Sequence, residues 1–80
     1  MYGYIATHGK GTTLVLSDGR VFEQHYGRAA WYLTEEGVEI DAWTDQAAQE
    51  WDADWRELSE EEVAEEIDLS LSYFIGQNPR

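Results

Sequence analysis

The stretch from Trp43 to Ile75 constrains this chain most, because its apolar residues recur at helical spacing while most of the remaining positions are carboxylates. Ala47, Ala48, Trp51, Trp55 and Leu58 step by three and four, which predicts one buried stripe of a helix. Thr44 is its expected N-cap, with Asp45 in the positive first turn. Glu50, Asp54 and Glu57 keep the same step on another face. A second helix is predicted from Ser59, where Ser59 and Glu62 form an S-x-x-E capping box and Leu58 and Val63 stand at hydrophobic-staple positions. Val63, Ile67, Leu71, Phe74 and Ile75 make its apolar stripe. Glu61, Glu65 and Asp68 line the far side, and Glu62 and Glu66 lie between. Gly76 is the expected C-terminal cap, and Pro79 forbids further helix.

The residues before this stretch read as strands. Tyr2 to His8 alternates, with Ile5 and Thr7 on one face and Tyr2, Tyr4 and Ala6 on the other. Gly9-Lys10-Gly11 is a turn, Thr12 to Ser17 a second strand and Arg20 to Tyr26 a third. Asp18-Gly19 between two β-rich runs is a hairpin signal. A two-residue loop there would set Leu16 opposite Val21 and Val15 opposite Phe22. Ala29 to Thr34 fits a strand or a short helix. A strand is preferred because Glu35-Glu36-Gly37 then turns into Val38 to Trp43, which alternates apolar and polar. The expected fold class is α+β: an antiparallel β-meander of four to five strands over residues 1–43, then two amphipathic α-helices over 44–76 packed on one face, and a frayed tail over 77–80.

Eighty residues make a single domain, which buries only about 60% of its unfolded surface. Eleven aromatic residues compensate in part, since each buries a large area. With no cysteine, disulfides and thiolate zinc sites are excluded. Met1-Tyr2-Gly3-Tyr4 lacks the basic and apolar regions of a signal peptide, and no apolar run approaches the roughly 20 residues that span a bilayer. A soluble, cytoplasmic protein is expected, in the host cytoplasm if the gene is carried by a phage. The net charge of −12 is unevenly placed: residues 1–34 carry a net of +1 and residues 35–80 a net of −13. Such a field disfavours nucleic acid and anionic membrane and favours basic protein surfaces.

Catalytic and metal motifs are weak. Gly9-Lys10-Gly11-Thr12-Thr13 lacks the early glycine of a phosphate-binding loop, has Gly after the lysine and leads into a strand. His8 and His25 show no short metal-ligand spacing. The carboxylates lie opposite the apolar stripes, where they are solvated and unsuited to general acid–base chemistry, and no nucleophile has a base at a recognisable spacing. No enzyme activity, cofactor or metal is therefore expected.

The acids themselves need an explanation. Ordinary helix faces mix signs, whereas Glu50–Asp54, Glu57–Glu61, Glu61–Glu65 and Glu62–Glu66 are like-charged at i,i+4, each costing a few tenths of a kcal/mol within a helix. One lysine against seventeen acids also suits a halophilic domain, but that would spread acid over the whole chain. Residues four apart on a helix are displaced by about 6 Å along its axis, of the order of the spacing between successive phosphates. In size and charge balance the chain resembles the small acidic DNA-mimic proteins that phages use against host defence, the anti-restriction and anti-CRISPR inhibitors. That resemblance implies a basic, nucleic-acid-binding protein or complex as partner, met by Glu50, Asp54, Glu57, Glu61, Glu62, Glu65, Glu66 and Asp68. Trp43 and whichever of Trp31 and Tyr32 faces outward would support the contact. A general interaction module, dimeric through its sheet edge or exposed aromatics, is the alternative.

Overall fold

Leu14, Val15 and Leu16 are consecutive and all three are fully buried. Neighbouring strand residues point to opposite faces, so this strand must be covered on both sides. The computed structural model describes residues 1–28 and 30–67 and shows how this is done. Strands β1 (Gly3–His8), β2 (Gly11–Leu16), β3 (Val21–His25) and β4 (Tyr32–Glu35) are followed by helix α1 (Ile40–Trp51), strand β5 (Arg56–Leu58) and helix α2 (Glu60–Glu66). The strands form one antiparallel sheet in the order β4-β3-β2-β1-β5. The fold is therefore a small α+β domain with β2 near the middle of the sheet. Among the described residues no helix is long and apolar enough to cross a membrane.

On one face Leu14, Leu16 and Phe22 pack with Trp31, Leu58 and the α2 residue Val63, joined by Ile67 just after the helix. On the other, Val15 and Val21 pack with Ile40 of α1, flanked by Tyr4, Val38, Trp43 and Trp55. The two helices thus belong to opposite faces, whereas both were expected on one. The reason lies in β2, whose apolar residues on successive positions leave neither face able to stand in water.

The β2–β3 hairpin is longer by one residue than a two-residue Asp-Gly turn. Its loop is Ser17-Asp18-Gly19, with the Gly19 N–H donating to the Leu16 carbonyl at 2.9 Å and Gly19 at φ 96°. This is the three-residue hairpin that places glycine in the left-handed region. Val15 therefore pairs with Val21 and Leu14 with Phe22. A one-residue slip would send each of these side chains to the wrong face.

Helix α1 begins four residues before the expected Thr44. The Glu39 carboxylate accepts the Ala42 and Asp41 N–H groups at 2.8 and 3.3 Å and caps the start. Ile40, Trp43, Thr44, Ala47 and Trp51 then form the inward stripe, so Val38–Trp43 is a loop and first turn, not a strand. Thr44 lies inside the helix, its hydroxyl donating to the Ile40 carbonyl at 2.8 Å. The helix stops at Asp52, which adopts the left-handed conformation (φ 56°, ψ 37°). The chain then turns back, and the Trp55 indole N–H donates to the Thr44 carbonyl at 2.9 Å. Trp55 and Leu58, expected on the first helix, are instead in this return and in β5. Strand β5 pairs Leu58, Glu57 and Arg56 with Gly3, Tyr4 and Ile5, supplying the backbone partners that β1 would otherwise lack. The fifth strand is thus residues 56–58.

Asp52 combines two unfavourable features, a Cβ in the left-handed region and a negative charge at the negative end of a helix. Asp52→Gly removes both and is expected to stabilise the fold by about 0.5–1 kcal/mol. Thermal unfolding followed by circular dichroism should show Tm rising by roughly 2–8 °C; an unchanged or lower Tm would contradict this account of the α1 terminus.

Candidate binding surface

Helix α2 begins where the sequence predicts. The Ser59 hydroxyl accepts the Glu62 N–H at 3.3 Å, and the Glu62 carboxylate accepts the Ser59 N–H at 2.9 Å, closing the capping box. Hydrogen bonding to its carboxyl from Ser59, the backbone N–H first and the side chain second, holds Glu62 below the ordinary carboxylate value; partial desolvation opposes this, and Arg56 at 3.7 Å adds to it. Glu60, Glu61 and Glu62 occupy the positive first turn, where the helix dipole favours them. Glu65 and Glu66 occupy the last turn, where it does not. Only Val63 of this helix is buried, so its five glutamates stand in solvent.

The end of α2 is fixed from the sheet. The Trp31 indole N–H donates to the Glu66 carbonyl at 3.2 Å, satisfying one of the last-turn acceptors. Trp31 is only 6% exposed and is therefore a core residue, not the outward contact its neighbour Tyr32 can be. Tyr32 is half-buried beside His25, with ring centroids 6.2 Å apart. Trp43 is also half-buried, edge-to-face with both Trp51 and Trp55 at 5.5 and 6.2 Å.

The expected row Glu50–Asp54–Glu57 does not exist as a helix face. Glu50 lies in the last turn of α1, Asp54 in the return loop and Glu57 on β5. The like-charged neighbours Glu50–Asp54 and Glu57–Glu61 consequently are not one helical turn apart, whereas Glu61–Glu65 and Glu62–Glu66 are. Asp68, Leu71, Phe74, Ile75 and the cap at Gly76 lie outside the described residues. The acids thus form two groups, one on α1 and the loops around it and one on α2, separated by the sheet.

What unites the groups is exposure. Fourteen acidic residues lie between Glu35 and Glu66, and all are exposed. Among the described residues only two of them enter ion pairs, Glu60 with the Met1 ammonium at 3.0 Å and Glu62 with Arg56. Several others are held by neutral donors: Gln46 reaches Glu50 at 2.9 Å, Gln49 reaches Asp45 at 3.5 Å, and the Trp43 indole reaches Glu35 at 3.3 Å. Such bonds orient the carboxylates without cancelling their charge. On β1, Tyr4 feels this field: partial burial, then Glu57 and Asp41, push its phenol up from the ordinary value.

Two concavities flank Trp51. One, about 270 Å³, is lined by His8, Gly9, Lys10, Glu23 and Trp51 and carries both signs of charge. The His8 ring rests on Trp51, 5.0 Å between centroids, and its nitrogens face the Thr13 hydroxyl at 2.7 Å and the Lys10 N–H at 3.3 Å. The Lys10 bond makes Nδ1 an acceptor, so in the neutral ring Nε2 is the donor to Thr13. The other, about 210 Å³, is lined by Glu35, Trp43, Gln46, Ala47, Glu50 and Trp51. Neither concavity is evident from the sequence. The signal for the second is Trp43, Ala47, Glu50 and Trp51 falling on adjacent turns, visible only once α1 is started at Ile40. Among the described residues no group of three or more His, Cys, Asp or Glu is arranged to hold a metal ion.

No protein-family model matches the chain, and no curated protein or solved structure matches it.

The capping box makes stability depend on pH. A carboxyl held below its ordinary value stabilises the folded state above the unfolded-state pKa, and that contribution is lost as pH falls through the folded value. Glu62→Gln, which keeps the shape but cannot ionise, removes this dependence. The Tm of the parent chain relative to the variant should therefore fall between pH 7 and pH 3; a constant difference would show that Glu62 gains nothing from its charge.

Proposed function

We propose that this chain is a non-catalytic binding protein that occupies the nucleic-acid-binding surface of a basic partner, with α2 standing in for a run of phosphates. Such a partner would suit a phage anti-defence inhibitor of the anti-CRISPR or anti-restriction kind. The observation that carries this reading is the exposure of all fourteen carboxylates between Glu35 and Glu66, with only two in ion pairs among the described residues. A chain retaining so much uncompensated charge has a field that selects positive surfaces and repels nucleic acid itself. Solvated carboxylates suit charge complementarity, whereas general acid–base catalysis calls for a buried one. Helix α2 supports the more specific part. Glu61–Glu65 and Glu62–Glu66 make two rows with a rise of about 6 Å between members, in the range of phosphate spacing along one strand. The α1 acids, on the other layer, extend the field without belonging to that band.

The reading is tested with the chain immobilised as bait in a bacterial lysate. Nucleic-acid-binding proteins should be retained and should be released both by added duplex DNA and by salt. Raising salt from about 50 to about 200 mM should weaken retention roughly ten-fold or more, as for phosphate contacts. Glu61→Lys combined with Glu65→Lys should abolish retention while the circular dichroism spectrum stays that of the parent. Retention indifferent to DNA, or equal for the reversed chain, would refute the mimic.

A further inference from the structure

The 210 Å³ concavity on α1 has a chemistry suited to one kind of occupant. Two of its walls are aromatic, the Trp43 and Trp51 rings meeting at 79°. Neither ring is loose, since Trp51 is backed by His8 and Trp43 by Trp55. Two carboxylates complete it. Glu35 is held through Oε2 by the Trp43 indole N–H, and Glu50 through Oε2 by the Gln46 amide. Among the described residues neither carboxylate is in an ion pair. An anion would be repelled, and a neutral apolar group would strip water from two charges without replacing it. A cation gains from the carboxylates and from the aromatic faces together. The volume lies below the range for drug-sized ligands, which points to a single side chain.

We propose that this concavity receives an arginine side chain of the basic partner. Arginine is favoured over lysine because its planar, weakly hydrated guanidinium stacks on an indole while its N–H fork meets carboxylates. This rests on the proposed function, since it presumes a basic partner, and it adds an anchor on the α1 layer. The placement is compatible with a partner that also touches α2. Glu35 ends β4, the edge strand, and Trp31, directly before β4, binds the C-terminal carbonyl of α2 at Glu66. The pocket and the last turn of α2 therefore flank the same edge of the sheet from its two faces.

The experiment is a titration of the ¹⁵N-labelled chain with a hexa-arginine peptide at low salt, followed through the indole N–H resonances. Those of Trp43 and Trp51 should shift saturably, while those of Trp31 and Trp55, bound to internal carbonyls, stay in place. Glu35→Gln with Glu50→Gln should weaken the apparent affinity about ten-fold, or about 1.4 kcal/mol. Glu36→Gln with Asp54→Asn, an equal change of charge at residues that do not line the pocket, should weaken it less than about three-fold. Hexa-lysine should shift the Trp43 and Trp51 signals less. If the peptide binds but the Trp43 and Trp51 signals do not move, or the two double variants lose affinity equally, the pocket is refuted and the acidic docking surface stands. If the peptide does not bind at all, both are refuted.

Discussion

The burial of three consecutive β2 residues, Leu14, Val15 and Leu16, is the constraint on which the rest of the structure depends. A strand apolar on both sides cannot border water, so the chain has to build a layer over each face. With 80 residues it does so economically, using one helix per side and filling the gaps with indoles. Trp31 and Leu58 complete the α2 side, and Trp43 and Trp55 the α1 side. Glycines make the strand contacts close enough: at Gly11 a Cβ would collide with the Gln24 carbonyl oxygen, and its φ of 143° already excludes most side chains.

The same constraint decides where the charge goes. Because each helix gives its inner stripe to a different face of the sheet, the acids on their outer sides point away from one another. The protein is thereby negative on both layers, while the near-neutral strands β1 to β3 lie between them. This geometry lowers the repulsion that a single dense acidic sheet would suffer, since charges beyond about one Debye length are largely screened. What repulsion persists is local, within α2, where glutamates repeat at i,i+4 and the last turn lacks a basic residue.

Much of this organisation could be read from the residues. The capping box at Ser59 fixes the start of α2 through two specific hydrogen bonds between residues three apart, so its signal lies wholly within the local sequence. The first hairpin and strands β1 to β3 are equally legible from alternation and turn residues, whereas β5 is not, since its residues continue the helical step. The start of α1 was not. Val38 to Trp43 alternates over six residues, yet Ile40, Trp43, Thr44, Ala47 and Trp51 also fit a helix, and Glu39 is an uncommon cap that gives little warning. The end of α1 was hidden for the opposite reason: Trp55 and Leu58 continue the helical step, while the residue that breaks it is an aspartate in a conformation usually marked by glycine. This one misplacement carries through to the candidate surface. Glu50, Asp54 and Glu57 look like a row only if the helix continues, and the Trp43–Trp51 pocket appears only if it begins early.

Carboxylates that the fold leaves uncompensated define the acidic surface, and the response of stability to salt measures this most directly. Unfolding by urea, followed across NaCl concentrations from about 0.02 to about 0.5 M, reports how the charges interact in the native state. Uncompensated acids predict a protein folded at the lowest salt whose stability rises as repulsion is screened and then levels off. A stability that falls with added salt would mean the acids are bound to internal cations after all, and a chain unfolded at low salt would mean its charge serves solvation in brine.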